Sequence, residues 1–233
     1  MEREQDSVVA SPRRQFREEL DRLEEQALGA LDLVRMTLGR TMEALTERDI
    51  ELAAIVVADD DRIDGRYLEV HQGLLSLLAL QAPVAGDLRV VAALLHVINH
   101  AERMGDQCVN IAKLLPLTGY EPPVDDEILL RIERMGALAG SEVAQAQQAF
   151  RRRDVALARD LVRQDGGLGR LNQEIFRRSV EIGTNPDVRE WAMTMMLVAR
   201  ALERIGGNAV DIGEQVAFVV SGVFRELTDP PQS

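Results

Sequence analysis

An internal echo limits what this chain can fold into more than any other feature. The stretch Ala101-Glu102-Arg103-Met104-Gly105-Asp106-Gln107-Cys108-Val109-Asn110-Ile111 returns about a hundred residues later as Leu202-Glu203-Arg204-Ile205-Gly206-Gly207-Asn208-Ala209-Val210-Asp211-Ile212. Arg48-Asp49 pairs with Arg153-Asp154, Asp60 with Asp165 and Ile63 with Leu168, all displaced by 105 positions, whereas Glu102 and Glu203 are displaced by 101. A four-residue deletion at the turn before the last helix of the second half reconciles the two offsets, since turns absorb length changes most cheaply. The chain must therefore be built from two similar halves.

The period inside each half is helical. Phe16, Leu20, Leu23, Leu28, Leu31, Val34 and Leu38 recur at spacings of three to five, and the chain is rich in Ala, Leu, Glu and Arg with only 3% aromatic residues. The spacing predicts a helix from Phe16 to Leu45, and Asp49 caps a second that runs to about Ala82. Gln81-Ala82-Pro83-Val84 is the turn into a third helix, from about Val84 to Leu115. Pro116, Gly119, Pro122 and Pro123 then crowd into eight residues near the midpoint, which marks a link between repeats. Beyond it, helices are expected over Asp125 to Arg152, from the Asp154 cap to about Ile182, and from Asn185-Pro186, an N-cap followed by an N1 proline, to about Leu227. Gly166, Gly167 and Gly169 predict a break or kink within the fifth helix. The expected fold is all-α: two tandem, pseudo-symmetric three-helix bundles made of six long helices, at residues 14–116 and 125–227. A linker at 117–124 joins them, and flexible tails are expected at 1–13 and 228–233.

Charge and composition narrow the function. With 46% apolar and 28% charged residues in 233, the chain is globular, and a net charge of -12 disfavours nucleic acid or an anionic membrane as a general partner. The Arg151-Arg152-Arg153 and Arg177-Arg178 clusters are expected to be solvated helix faces. The longest uncharged run, Val70 to Gly86, contains His71, Gln72, Gln81 and Pro83 and is too short to span a bilayer, so no membrane insertion is expected. The start of the chain has no apolar core of the signal-peptide kind, and the single cysteine, Cys108, suits a small apolar core position, so a cytoplasmic protein is expected.

The candidate chemistry is a set of carboxylates. Glu102 and Asp106 stand one turn apart on a helix face together with Asn99 and Asn110, and Asp60 and Asp64 form a matching pair on the preceding helix. Four carboxylates on two helices suit a hard or borderline cation such as Mg, Mn or Fe. The same spacing suits an ordinary solvated acidic face, and 39 acidic residues supply such pairs by chance. In the second half Gly169 and Gly207 stand opposite Asp64 and Asp106, so both second carboxylates are missing together; Asp165 and Glu203 remain, with Asp211 and Glu214 further along the last helix. His96 and His100 point away from Asp106 and are expected to be interface or partly exposed side chains. The glycines at 166–169 lack the Gly-Lys-Ser/Thr ending of a phosphate loop, and no nucleophile elbow or Glu-x-x-His pair is present.

Asp60-x-x-Ile63-Asp64, Gln81-Ala82-Pro83-Val84-Ala85-Gly86-Asp87-Leu88-Arg89, Glu102-Arg103-Met104-Gly105-Asp106 and Asn110-Ile111-Ala112, followed by Asp165, Glu203-Arg204-Ile205-Gly206 and Val219-Val220-Ser221-Gly222, together resemble the PhoU family of phosphate-transport regulators over about residues 14–227. The resemblance implies a cytoplasmic, often homodimeric regulator rather than an enzyme. It implies negative control of the phosphate-starvation (Pho) response when phosphate is abundant, through contacts with the ATPase of the phosphate ABC transporter and with a sensor histidine kinase. It also implies metal (Fe, Mn, Mg or Zn) at Asp60, Asp64, Glu102 and Asp106, with Asp165 and Glu203 the remainder of a degenerate second site because of Gly169 and Gly207. The alternatives from other classes are a metal-dependent helical-bundle hydrolase and a metal-free helical adaptor.

Overall fold

In this computed structural model, which describes residues 12–119, 124–182, 186–224 and 226–227 (the side chains of Pro12 and Asp187 excepted), three aspartates start three helices. Asp49 accepts a hydrogen bond from the Leu52 N–H at 2.9 Å, Asp125 from Ile128 at 3.0 Å, and Asp154 from Ala156 and Leu157 at 2.9 and 3.1 Å. Each satisfies an N–H that the first helical turn leaves without a partner, a contribution of about 1 kcal/mol. Two of these caps follow an arginine in the left-handed region, Arg48 (φ 59°) and Arg153 (φ 53°), which closes the preceding helix. The echoed Arg-Asp pair is thus the same tight corner made twice.

The helices are α1 (Pro12–Glu47), α2 (Ile50–Ala58), α3 (Asp61–Leu80), α4 (Ala85–Leu114), α5 (Asp126–Arg152), α6 (Val155–Glu181) and α7 (Pro186–Ser221), with a 3-10 turn at Leu115–Thr118. They make two tandem three-legged bundles, and no strand occurs among the described residues. Pro186 opens α7 as expected; its proposed cap Asn185, the linker positions 120–123 and the tails 1–11 and 228–233 lie outside the described residues.

Three expectations need correction. The second leg is not one helix: α2 ends at Ala58 and α3 begins at Asp61, with Asp59 and Asp60 in a turn between them. Three consecutive aspartates repel one another and are weak helix formers, so this is the least helical point of the leg. Conversely, α6 runs unbroken through Gly166, Gly167 and Gly169. Packing overrides propensity there, because a Cβ on Gly167 would come within 3.0 Å of Leu138 on α5. Finally, α7 ends at Ser221, where Gly222 takes a φ of 74° and its N–H donates to the Phe218 carbonyl at 2.7 Å. The chain then turns back, and the Phe224 ring lies 4.5 Å from that of Phe218 and 6.1 Å from His96.

The bundles share their core. Helix α4 packs on α7 and α1 on α5, and the buried side chains form one continuous cluster through both halves, including Leu28, Leu31, Leu94 and Ile98 of the first and Ile128, Ile132, Met135 and Phe150 of the second. Hydrogen bonds also stitch the halves: in the interior Gln147 Nε2 donates to the Leu28 carbonyl at 2.8 Å, and His100 Nδ1 lies 2.7 Å from Asn208 Oδ1. The Asn208 amide nitrogen donates to the Arg204 carbonyl, which turns its oxygen to His100 and makes Nδ1 the donor. The arginine clusters are less free than expected: Arg151 and Arg153 pair with Glu25 and Glu24 of α1, and Arg178 pairs with Asp125.

Within each bundle a glycine lets two helices approach. A Cβ on Gly105 would lie 2.9 Å from Ile63 Cδ1, so Ile63 of α3 fills a notch on α4. Leu168 of α6 does the same at Gly206 of α7, where an added Cβ would also meet Glu142 Oε2 at 2.5 Å and Asp165 Oδ1 at 2.9 Å. The next residue, Gly207, has nothing within 4 Å of that position. Gly206→Ala is therefore expected to destabilise the fold by about 1–3 kcal/mol through overpacking. Gly207→Ala should stabilise it by up to about 1 kcal/mol through helix propensity. Urea unfolding of the two neighbouring variants, with shifts of opposite sign, tests the notch.

Candidate metal centre

The Ile63–Gly105 contact decides where the first carboxylate set lies. Asp60 and Asp64 flank Ile63, and Glu102 and Asp106 flank Gly105, so the contact between α3 and α4 brings both pairs to one side. Their electrostatics show the convergence. Asp60 titrates above its usual range, first because it is partly buried and then because Asp64 and Asp106 repel its charge, with Lys113 opposing. Glu102 is raised by burial and then by Asp106, Asp64 and Asp60, with Arg103 opposing. None of the four has a side-chain hydrogen bond or ion pair among the described residues, although 15 ion pairs are formed elsewhere.

Such a face has the donor set for a hard cation: unpaired carboxylate oxygens under mutual repulsion. It is open rather than pre-closed. Asp106 is exposed and the other three are partly buried, and among the described residues no three His, Cys, Asp or Glu side chains are gathered into a ready coordination shell. Rotamer changes at Asp60, Asp64, Glu102 and Asp106 would have to complete one.

The second repeat keeps the notch and loses the face. A Cβ on Gly169 would lie 3.8 Å from Glu203 Oε1, its nearest neighbour, and one on Gly207 would meet nothing within 4 Å, so both positions have room for a larger side chain. Glu203 instead accepts from Asn172 Nδ2 at 3.0 Å and pairs with Arg200. Asp211 and Glu214 serve elsewhere: Asp211 Oδ2 is 3.6 Å from His100 Nδ1, and Glu214 accepts from the Leu227 N–H at 3.0 Å.

The residue that sequence reasoning missed is Glu142. It lies on α5 with no exposed surface, and neither of its oxygens finds a hydrogen-bond partner; Asp165 Oδ1 beside it is also unsatisfied. Burial, and then the charge of Asp165, pushes the Glu142 carboxyl up to about 8. Asp165 is raised as well, by burial and then by Glu203 and Asp211. A signal existed: Ile128, Ile132, Met135, Ala139, Glu142, Ala146 and Ala149 form one buried three-four stripe, and a carboxyl on an apolar stripe is anomalous. The register-equivalent in the first repeat is Thr37, so the second half loses two carboxylates on one side and gains one within.

The remaining candidates fall where their chemistry suggests. Cys108 is fully buried, which pushes its thiol up to about 12, and His100 is buried at the α4–α7 contact while His96 is exposed beside Phe224.

The PhoU domain family model matches the chain twice, over residues 28–115 and 132–216. The chain belongs to the PhoU family. Its similarity to named relatives runs over most of the chain. The phosphate-specific transport system accessory protein PhoU homolog of Clostridium acetobutylicum is 27% identical over 93% of this chain and 99% of its own length. That of Zymomonas mobilis is 31% identical over 82% of this chain and 80% of its own length. The crystal structures of the phosphate transport system regulatory protein PhoU from Streptococcus pneumoniae and of PhoU from Pseudomonas aeruginosa each superpose with a TM-score of 0.83, at 25% and 26% identity. They cover 91% and 90% of this chain and 99% and 100% of their own chains.

Glu142 makes stability depend on pH in a definite direction. In the unfolded chain it loses its proton near 4.5, whereas in the folded protein it keeps it to about 8. Between those values the folded state binds the extra proton, so the contribution of Glu142 to stability is fully present below about 4.5 and is lost as pH rises toward 8, by up to about 1.4 kcal/mol per pH unit. Asp165, also raised, adds to the same slope. Glu142→Gln is expected to flatten it, and urea unfolding of both proteins at pH 5, 6.5 and 8 measures the difference; equal slopes would remove Glu142 as its source.

Proposed function

We propose that this chain is a cytoplasmic accessory regulator of phosphate uptake. On this reading it restrains the phosphate-starvation response when phosphate is plentiful, by contact with the ATPase of the phosphate ABC transporter and with a sensor histidine kinase. The observation that carries this reading is the double family match, which falls on both halves of the chain and brings with it relatives named as accessory proteins of phosphate-specific transport. The protein acts by binding rather than by catalysis, and as a homodimer. Among the described residues no helix is long and apolar enough to cross a membrane.

Metal enters this proposal through Asp60, Asp64, Glu102 and Asp106. A bound divalent or iron-type cation would supply positive charge to a face whose carboxylates otherwise repel one another. The chain's own residues define what such a charge acts on. Ile63 in the Gly105 notch fixes the separation of α3 and α4, and the turn at Asp59–Asp60 leaves Asp60 at the end of a helix rather than inside one. Changes on this face therefore bear on how α2, α3 and α4 present their outer surfaces to a partner. The second repeat, with Asp165 and Glu203 alone, is the weaker or silent half.

Asp106→Ala is expected to lower bound metal, measured by elemental analysis of the purified protein, and to weaken affinity for the purified ATPase and kinase at high phosphate by about tenfold. Metal content unchanged by this substitution would overturn the ligand assignment, and no affinity for either partner at any phosphate concentration would overturn the regulatory reading. Gly169→Asp combined with Gly207→Asp should raise metal content above that of the parent chain, because both positions have space for a side chain.

A further inference from the structure

Exposed apolar residues are scattered over this protein, and Val84 and Leu88 at the start of α4 form one pair a turn apart. On α6 and α7 two such pairs lie on neighbouring helices beside a common groove. Phe176 (54% exposed) and Val180 (71%) on α6 stand on an outer helix face, and Met193 (63%) and Leu197 (58%) stand likewise on α7. Each pair is spaced by four residues, one helical turn, so each helix carries a second apolar stripe beside its buried one. The buried stripes are Leu168 and Ile175 on α6 and Ala192, Met195 and Ala199 on α7. Between the outer stripes runs an open groove of about 490 Å³, floored by Phe176, Met196 and Leu197 and rimmed by Arg177 and Arg200.

The charge at this groove runs against that of the molecule. The chain carries a net charge of -12, yet no carboxylate lines the groove. Glu203, the nearest acid along α7, is turned to Asn172 and Arg200 and held there. Arg177 is exposed and has no carboxylate partner among the described residues; its Nε donates only to the Gln173 carbonyl, at 3.4 Å.

We propose that the α6–α7 groove is a docking site for an amphipathic helix of a partner protein that carries acidic residues beside its apolar stripe. Two antiparallel helices with a shared apolar furrow accept a third helix by the same ridge-into-groove packing that holds the bundle, with anchors at i, i+3 or i+4, and i+7. Arg177, which has no carboxylate partner among the described residues, favours a carboxylate on that helix and its planar guanidinium can bind it in two-pronged fashion, while Arg200 is already shared with Glu203 and adds less. A second copy of this chain fits less well. A twofold contact pairs this patch with itself, which brings Arg177 of both copies into one interface whose groove lining holds no carboxylate to meet them. This assignment rests on the regulatory reading for the identity of the partner alone; the groove's preference for an acidic helix stands without it.

The test uses the full-length chain and two synthetic 18-residue helical peptides, each with Leu at i, i+4 and i+7 positions along one stripe. One carries Glu beside the stripe and the other carries Lys. Fluorescence anisotropy is expected to show at least tenfold tighter binding of the Glu peptide, at least tenfold loss with Leu197→Asp, and a reversed preference with Arg177→Glu combined with Arg200→Glu. These side chains are exposed, so circular dichroism of each variant should match the parent. Equal binding of both peptides, binding indifferent to Leu197→Asp, or no binding of either would overturn the proposal. So would concentration-dependent dimerisation, followed by light scattering, that Leu197→Asp abolishes, which would assign the groove to a second copy. Binding to phosphatidylglycerol-containing vesicles that the same substitution abolishes would assign it to a lipid surface. All of these arms are run without phosphate, ATPase or kinase, so failure of the phosphate-regulator reading leaves their outcome intact.

Discussion

Two helices that carry like charges on the same side stay together here because a branched aliphatic side chain of one enters a glycine notch of the other. Ile63 at Gly105 and Leu168 at Gly206 are the same contact made twice. Burying an isoleucine or leucine contributes about 1.5–3 kcal/mol. Repulsion between carboxylates near a solvated surface amounts to about 1 kcal/mol or less per pair, so burial of Ile63 together with Val70, Leu74 and Leu77 of α3 outweighs the four cross-helix pairs and the acidic face persists without a partner of its own. Any larger residue at either glycine would push the helices apart, and with them the carboxylates that flank the contact.

The same notch supports opposite surroundings in the two halves. In the first, acids sit outside the contact, on an open face where Asp106 meets solvent. In the second, the outward positions are Gly169 and Gly207, and an acid has moved to the inside as Glu142, pressed against Asp165 over Gly206. An outer acid with no partner keeps its charge through hydration. An inner one is neutralised, and its raised affinity for a proton is the measure of that. Duplication thus left the mechanical part unchanged and let the electrostatic part diverge.

Much of this was legible in the sequence because it is local. The caps Asp49 and Asp154, the start of α5 beside Asp125, the breakers around Pro116, the opening proline of α7 and the repeat itself each depend on a few neighbouring residues. What escaped depends on residues far apart. Three glycines in α6 argue for a break, yet Leu138 on α5 uses the space above Gly167, and the helix runs uninterrupted through it. The turn at Asp59–Asp60 falls where acidic crowding is worst, and a hydrophobic period running through both sides concealed it. Glu142 was one acid among 39 until its stripe was laid out, and the pairing of its oxygens with nothing is a fact of three helices rather than of one. The candidate carboxylates on α3 and α4 were readable as a shared face because the i, i+4 spacing and the notch residue lie inside the same motif.

The divergence of the halves also bears on where a partner can bind. A face of unpaired carboxylates repels acidic partners and attracts cations, whereas a groove with arginines at its rim and apolar residues at its floor does the reverse. These two surfaces belong to different repeats, α3–α4 and α6–α7, yet α4 and α7 pack directly on one another and share the His100–Asn208 hydrogen bond. A shift of α4 at the acidic face is therefore resisted by the helix that forms one wall of the groove. The buried cluster runs without a break from one surface to the other, so the two lie on one packed body joined at the α4–α7 contact. Any coupling between an ion at the acidic face and a protein at the groove would have to run through that contact, and it would require two arrangements of α4 against α7 that the two ligands prefer differently.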